Sequence, residues 1–228
     1  GSDANGSVET VTALTREDIL AAHAGALARD RVYVAASGDI TAAELGLLLD
    51  HLLGDLPATG AALPGDAPWL LPPGVTVTDF PSPQSTVLFG QPGIARDDPD
   101  FFAAFILNEA LGGGRFTARL MSEIREKRGL TYGIGTYLVN MDHSDMLMGQ
   151  FSASNDKVAE AIRVLHDEWV KAATEGITEA ELAATKTYLT GSYPLRFNGN
   201  GQIASILVGM QMDAMPIDYA VTRNAKIE

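Results

Sequence analysis

One stretch of this acidic chain gathers positive charge beside an aromatic hydroxyl. It reads Leu111-Gly-Gly-Gly-Arg-Phe-Thr-Ala-Arg-Leu-Met-Ser-Glu-Ile-Arg-Glu-Lys-Arg-Gly-Leu-Thr-Tyr-Gly133 and carries Arg115, Arg119, Arg125, Lys127 and Arg128. Arg125 and Tyr132 stand seven residues apart with Gly129, a helix stop, between them. That spacing puts Arg125 in the last turns of a helix and Tyr132 at the start of the following strand, where both can face one cleft. A guanidinium and a phenol are hydrogen-bond donors that need not ionise at neutral pH, which suits them to a polarised peptide carbonyl. The same residues also read as a helix cap, a basic amphipathic helix and the next strand, with no chemistry at all. The Gly112–Gly114 run has the same two readings: a C-cap that lets the next helix turn sharply, or a mobile loop touching substrate.

No self-sufficient catalytic set accompanies this pair. Four histidines stand at 23, 51, 143 and 166, none spaced with another as metal ligands. His166-Asp167-Glu168 reads as a solvated helix face, and His143 lies in a polar loop. There is no Gly-x-Ser-x-Gly elbow and no phosphate-binding loop, and Gly133-Ile-Gly135 does not open a helix as a dinucleotide fingerprint must. The absence of cysteine excludes thiol catalysis, disulfides and thiolate metal sites. The net charge of −13 argues against nucleic-acid or anionic-membrane binding, which need a basic surface. At 228 residues, 46% apolar and 20% charged, the chain has the composition of a globular protein with a sizeable core. No apolar run is long enough to span a bilayer.

The elements that must position the pair follow from periodicity and caps. Residues 1–14 read as a disordered leader, with Gly1-Ser2 a cloning scar. Thr15-Arg-Glu-Asp18 predicts a capped helix to about Arg29, 31–37 a short strand, and Thr41-Ala-Ala-Glu44 a second capped helix closed by a left-handed Gly54 before Pro57. Residues 15–57 are thus a helix–strand–helix unit, and the Pro-, Gly- and Ala-rich 58–73 a linker. Residues 74–228 form the main domain. Strands are predicted at 75–80 and 85–90, and a helix from Asp98-Pro99 to Leu111. A short helix spans about 117–127, and a hairpin spans 132–138 and 146–153 around a polar 140–145 loop. Two long helices follow, the second opened by Thr178-Glu-Ala-Glu181 and stopping near Pro194, and a last helix covers 202–212. The fold class is α+β in two layers, a mixed and largely antiparallel sheet covered on one face by helices.

The runs Leu107-Asn-Glu-Ala-Leu-Gly-Gly-Gly114 and Arg125-Glu-Lys-Arg-Gly-Leu-Thr-Tyr132 resemble the pitrilysin/insulinase family of zinc peptidases, which includes the mitochondrial processing peptidases. Thr15-Arg-Glu-Asp-Ile19, Val34-Ala-Ala-Ser-Gly-Asp39, Leu53-Gly-Asp-Leu-Pro57 and Gly176-Ile-Thr-Glu-Ala-Glu-Leu182 match in the same order, all to the family's C-terminal half. The resemblance implies one half of a clamshell. The other half carries zinc on an inverted His-x-x-Glu-His motif, absent here, so no zinc is expected in this chain and zinc is expected in a partner half. Arg125 and Tyr132 match the pair that holds substrate backbone and stabilises the tetrahedral intermediate in trans, with Gly112, Gly113, Gly114 and Arg128 as further substrate contacts. The expected partners are a zinc-bearing homologous half or subunit and a peptide or unfolded protein, with a homodimer possible. A non-proteolytic structural or peptide-binding subunit of the same fold is the alternative. The resemblance also implies a closing unit beyond Thr222, so 74–228 is expected to be truncated, with 15–57 packing in its place or reaching a second copy. A soluble protein of bacterial periplasm or cytoplasm fits either reading.

Overall fold

A computed structural model describes residues 5–228; the first four residues of the expected leader lie outside it. In chain order the elements are α1 (Val8–Ala13), α2 (Arg16–Ala26), α3 (Ala42–Leu53), β1 (Gln84–Pro92), α4 (Phe101–Gly112), a π-wound helix (Met121–Glu126), β2 (Ile134–Met141), β3 (Ser144–Ser154), α5 (Val158–Glu175), α6 (Glu179–Ser192), α7 (Asn200–Met212) and α8 (Tyr219–Thr222). They fall into two compact units. One holds the described residues up to Pro64 with Arg196–Ile217, and the other holds Gly65–Leu195 with Asp218–Glu228. The division falls inside the 58–73 stretch, and α7 groups with the N-terminal segment.

The first unit is built on local caps. Thr15 and Asp18 exchange hydrogen bonds at the start of α2, as do Thr41 and Glu44 at α3, and these bonds hold both carboxyls below their ordinary range. A third box, Ser7 with Thr10, opens α1, so residues 8–13 of the expected leader are helical. Residues 57–61 fold back on the end of α2: Arg29 N–H donates to Pro57 O and Ala61 N–H to Gly25 O, each at 2.9 Å. The strand expected at 31–37 is absent: Arg31 ends a short 3-10 turn and the residues after it enter no ladder, while Val34 O accepts from Gln211 Nε2 on α7 at 2.9 Å. Gly54 is right-handed (φ −59°), so α3 ends on the Leu53–Leu56 turn before Pro57 instead of on a left-handed cap.

The second unit carries the sheet, β1-β3-β2, antiparallel throughout. Phe151 sits opposite Val87 on one side and Ile134 on the other. Its alternation defines two faces. Val87, Phe89, Ile134, Phe151 and Ala153 pack with Leu120, Ile124, Val164 and Leu165 of the helices, while Thr86, Leu88, Tyr137, Gln150 and Ser152 on the other face are exposed. The hairpin turn is tighter than expected, Asp142-His143 alone, because pairing continues to Met141↔Ser144. The strand expected at 75–80 is absent: Val75, Val77 and Phe80 are exposed and join no ladder. Alternating apolar residues set a propensity for extended backbone, but a strand also needs a neighbour. A second cluster, Ile106, Leu189 and Ile227, ties α4 to α6.

Candidate functional site

The site grows from the junction between the π-wound helix and β2. The short helix expected at 117–127 is wound wide, Lys127 N–H reaching back to Ser122 O at 3.0 Å, a form often found at functional positions. Buried Leu120, Met121 and Ile124 anchor its inner face. At its end Gly129 takes φ +60°, a conformation open to glycine at little cost. Gly129 N–H bonds Arg125 O (2.8 Å) and Leu130 N–H bonds Ile124 O (2.9 Å), which turns the chain sharply into the sheet.

That turn fixes Tyr132. Leu130 is buried on one side of it and Ile134 on the other. Thr131 Oγ1 bonds Ser152 O (2.7 Å) on β3 and Gly133 O (3.0 Å), pinning the loop to the sheet. With its neighbours held inward, Tyr132 is thrown outward and is 88% exposed. The Arg125 guanidinium carbon lies 5.1 Å from the centroid of the Tyr132 ring and 4.5 Å from that of Phe116. Two aromatic rings therefore flank the cation, an attraction that keeps the guanidinium in place without consuming its donors. Its Nε lies 3.3 Å from a carboxylate oxygen of Glu126. Phe116 was missed by sequence reasoning; no motif marks it, and only the fold of the 112–118 loop brings it to Arg125.

The segment leading into this helix is fastened to α6 by two further arginines. Arg119 makes a two-pronged pair with Glu181, Nε–Oε1 at 2.7 Å and Nη2–Oε2 at 2.6 Å, and also reaches Gly176 O. Glu181 simultaneously caps α6 through Thr178. The Arg119 hydrogen bonds are the main reason its carboxyl falls to about 2, burial opposing them. Arg115 bonds Thr185 Oγ1 (3.1 Å) and stacks on Tyr188. Half-burial raises the carboxyl of nearby Glu109, opposed by Arg115 and Arg223.

The other expected contacts separate. Gly112 is a packing glycine: a Cβ there would overlap Thr136 Oγ1 on β2. Gly113 closes α4 with Glu109 folded against it. Gly114, at φ +76°, lines an open cleft of about 470 Å³ together with Tyr132. Arg128 is held by the carboxylate and carbonyl of Glu123, each at 2.6 Å, and Glu123 is lowered by Lys127 and Arg128.

A zinc site does not fit the donor set. His23 lies in α2, His51 in α3, His143 in the hairpin turn and His166 in α5. Among the described residues no three His, Asp or Glu side chains converge. Among the same residues no helix is long and apolar enough to cross a membrane.

Comparison with known proteins gives one answer at three levels. The family model described as the peptidase M16 inactive domain matches residues 13–189. An uncharacterized zinc protease of Mycobacterium leprae is 30% identical over 190 residues, 82% of this chain and 42% of the relative. A probable mitochondrial-processing peptidase subunit beta of Schizosaccharomyces pombe is 22% identical over 237 residues, covering 95% of this chain and 51% of its own length. The crystal structure of a peptidase M16 inactive domain from Pseudomonas fluorescens superposes with a TM-score of 0.84 at 27% identity, over 98% of this chain and 53% of that one. The chain thus spans about half the length of these relatives.

Proposed function

Because the chain belongs to the peptidase M16 inactive-domain family and is similar to proteins named as zinc proteases, we propose that it is the substrate-binding half of a zinc endopeptidase, paired with a zinc-bearing half and acting on peptides or unfolded segments. Arg125 holds a backbone carbonyl of the substrate, and Tyr132 donates its hydroxyl to the oxygen that becomes negative in the tetrahedral intermediate. A zinc ion held by the partner half would supply the activated water. This chain supplies donors that gain strength as charge develops, the kind of interaction that lowers a barrier instead of merely tightening binding.

One observation carries this reading. Arg125 and Tyr132, brought together across a helix stop, are in ring–cation contact while the Tyr132 side chain stays open to solvent beside a cleft. That exposure leaves the phenol hydroxyl accessible to a substrate backbone.

The test is complementation. The chain alone and the chain mixed with a zinc-bearing half of the family are assayed on a quenched fluorogenic peptide, with metal content measured in both. Turnover only in the mixture is expected. Turnover and bound zinc in the lone chain would overturn the reading, and an assembled but silent complex would favour a non-proteolytic peptide-binding subunit.

A further inference from the structure

The cleft beside Tyr132 has a chemical character that the role of Tyr132 does not explain. Its floor is the sheet face left uncovered by helices, with Thr86 from β1, Gln150 and Ser152 from β3, and Tyr137 from β2. Gly114 and Tyr132 form part of its wall. In a chain of net charge −13, no charged side chain lines it among the described residues. The floor instead offers hydroxyls and an amide: Thr86 Oγ1 and Ser152 Oγ lie 3.4 Å apart, and Gln150 is exposed in the central strand. At about 470 Å³ the cleft has room for the largest side chains.

From this we infer that the cleft is a side-chain subsite selective for an uncharged residue of an extended peptide. The inference rests on the reading of Arg125 and Tyr132 as backbone-holding donors, since a carbonyl held at Tyr132 places a neighbouring substrate side chain over the cleft. An uncharged side chain, apolar or amide-bearing, meets either the rings of Tyr132 and Tyr137 or the hydroxyls of Thr86 and Ser152. A carboxylate or ammonium entering the same space loses part of its hydration and finds no opposite charge among the lining side chains, with Arg125 outside the lining and committed to the backbone carbonyl. Selectivity of this kind arises by rejection, and it is programmable: Gln150 sits at the centre of the floor, paired with Leu88 on one side and Gly135 on the other, so a charge placed there should invert the preference.

The experiment uses this chain and four blocked heptapeptides with an alanine background and a central Leu, Gln, Asp or Lys. Affinity is measured by NMR titration of the amide signals of Thr86, Gln150 and Ser152. The Leu and Gln peptides are expected to bind at least about ten-fold more tightly than the Asp and Lys peptides. Gln150→Lys should raise affinity for the Asp peptide, and Gln150→Glu for the Lys peptide, each by about three- to ten-fold and each lost at high salt. Gln150 is exposed and outside the donor pair, so both variants should keep the wild-type melting temperature. Equal affinity for all four peptides, an unchanged preference in the two variants, or no shift at these amides up to millimolar peptide would overturn the inference. Because the readout is binding to this chain and not turnover, it can fail while the Tyr132 role stands. Loss of the Tyr132 role would appear instead as unchanged turnover in Tyr132→Phe.

Discussion

The Arg125 guanidinium lies 5.1 Å from the centre of the Tyr132 ring, although a helix end and a left-handed glycine separate the two residues in sequence. Neither side chain is placed by the other alone. Arg125 is set by the buried inner face of the π-wound helix and by Phe116, and Tyr132 by the Thr131 bonds to β3. The pair is therefore a preorganised surface, whose cost is met by the packing beneath it.

Phe116 should matter through Arg125. Replacing it with leucine keeps apolar bulk but removes the ring that faces the cation, an interaction worth about 0.5–1 kcal/mol at an exposed site. In the assembled enzyme, Phe116→Leu is expected to raise KM about two- to five-fold with little change in stability, and Phe116→Tyr to restore it. Steady-state kinetics on both variants decides this, and equal KM in all three proteins would remove Phe116 from the site.

The Arg119–Glu181 pair should make stability acid-sensitive. The folded carboxyl sits at about 2, below the ordinary 4.5, so its contribution is fully present above about pH 4.5 and is lost as pH falls toward 2. Glu181→Gln removes the charge and weakens the α6 cap, and it should cost about 1–3 kcal/mol at pH 7. The deficit should shrink below pH 4. Urea unfolding of both proteins across pH 3–7 measures it, and a deficit that does not vary with pH would contradict the assignment.

Glu109 should act in the opposite sense. Half-burial raises its carboxyl above the ordinary value, so the folded state binds the proton more readily than the unfolded chain and stability from this group grows as pH falls. Glu109→Gln is expected to raise the melting temperature at pH 7 and to lose that advantage in acid. A Tm below wild type at pH 7 would show that its attraction to Arg115 and Arg223 outweighs its burial.

The glycine run should divide by position. Gly112→Ala drives a methyl group into Thr136, which is 1% exposed, and should cost about 1–3 kcal/mol as α4 and β2 are forced apart. Gly114→Ala meets no atom within 4 Å, and its φ of +76° limits the penalty to about 1 kcal/mol. Thermal denaturation of the two variants separates them, and similar losses would mean that space and backbone angle are not the deciding factors.

What the sequence disclosed follows the range of the interactions. The capping boxes at Thr15, Thr41 and Thr178 are contained in four residues and are present as read. The proximity of Arg125 and Tyr132 follows from one helix stop, and the order of motifs along the chain carries the family. The segments at 31–37 and 75–80 carry a strand pattern yet join no ladder, because a ladder depends on a second strand that the segment itself does not encode. Phe116 and the double duty of Glu181 were invisible for a related reason. Glu181 meets Arg119 across 62 positions, and the turn that carries Phe116 to Arg125 is set by packing of the 112–118 loop, not by a residue pattern.

The central claim, that Tyr132 stabilises the transition state in a neighbouring active site, is tested most directly by Tyr132→Phe in the complex with the zinc half. The ring and its contact with Arg125 are kept, and only the hydroxyl is lost. The account predicts a fall in kcat of about 10²–10³ with KM nearly unchanged, as expected for the loss of one oxyanion donor. Wild-type kcat in the variant would contradict it.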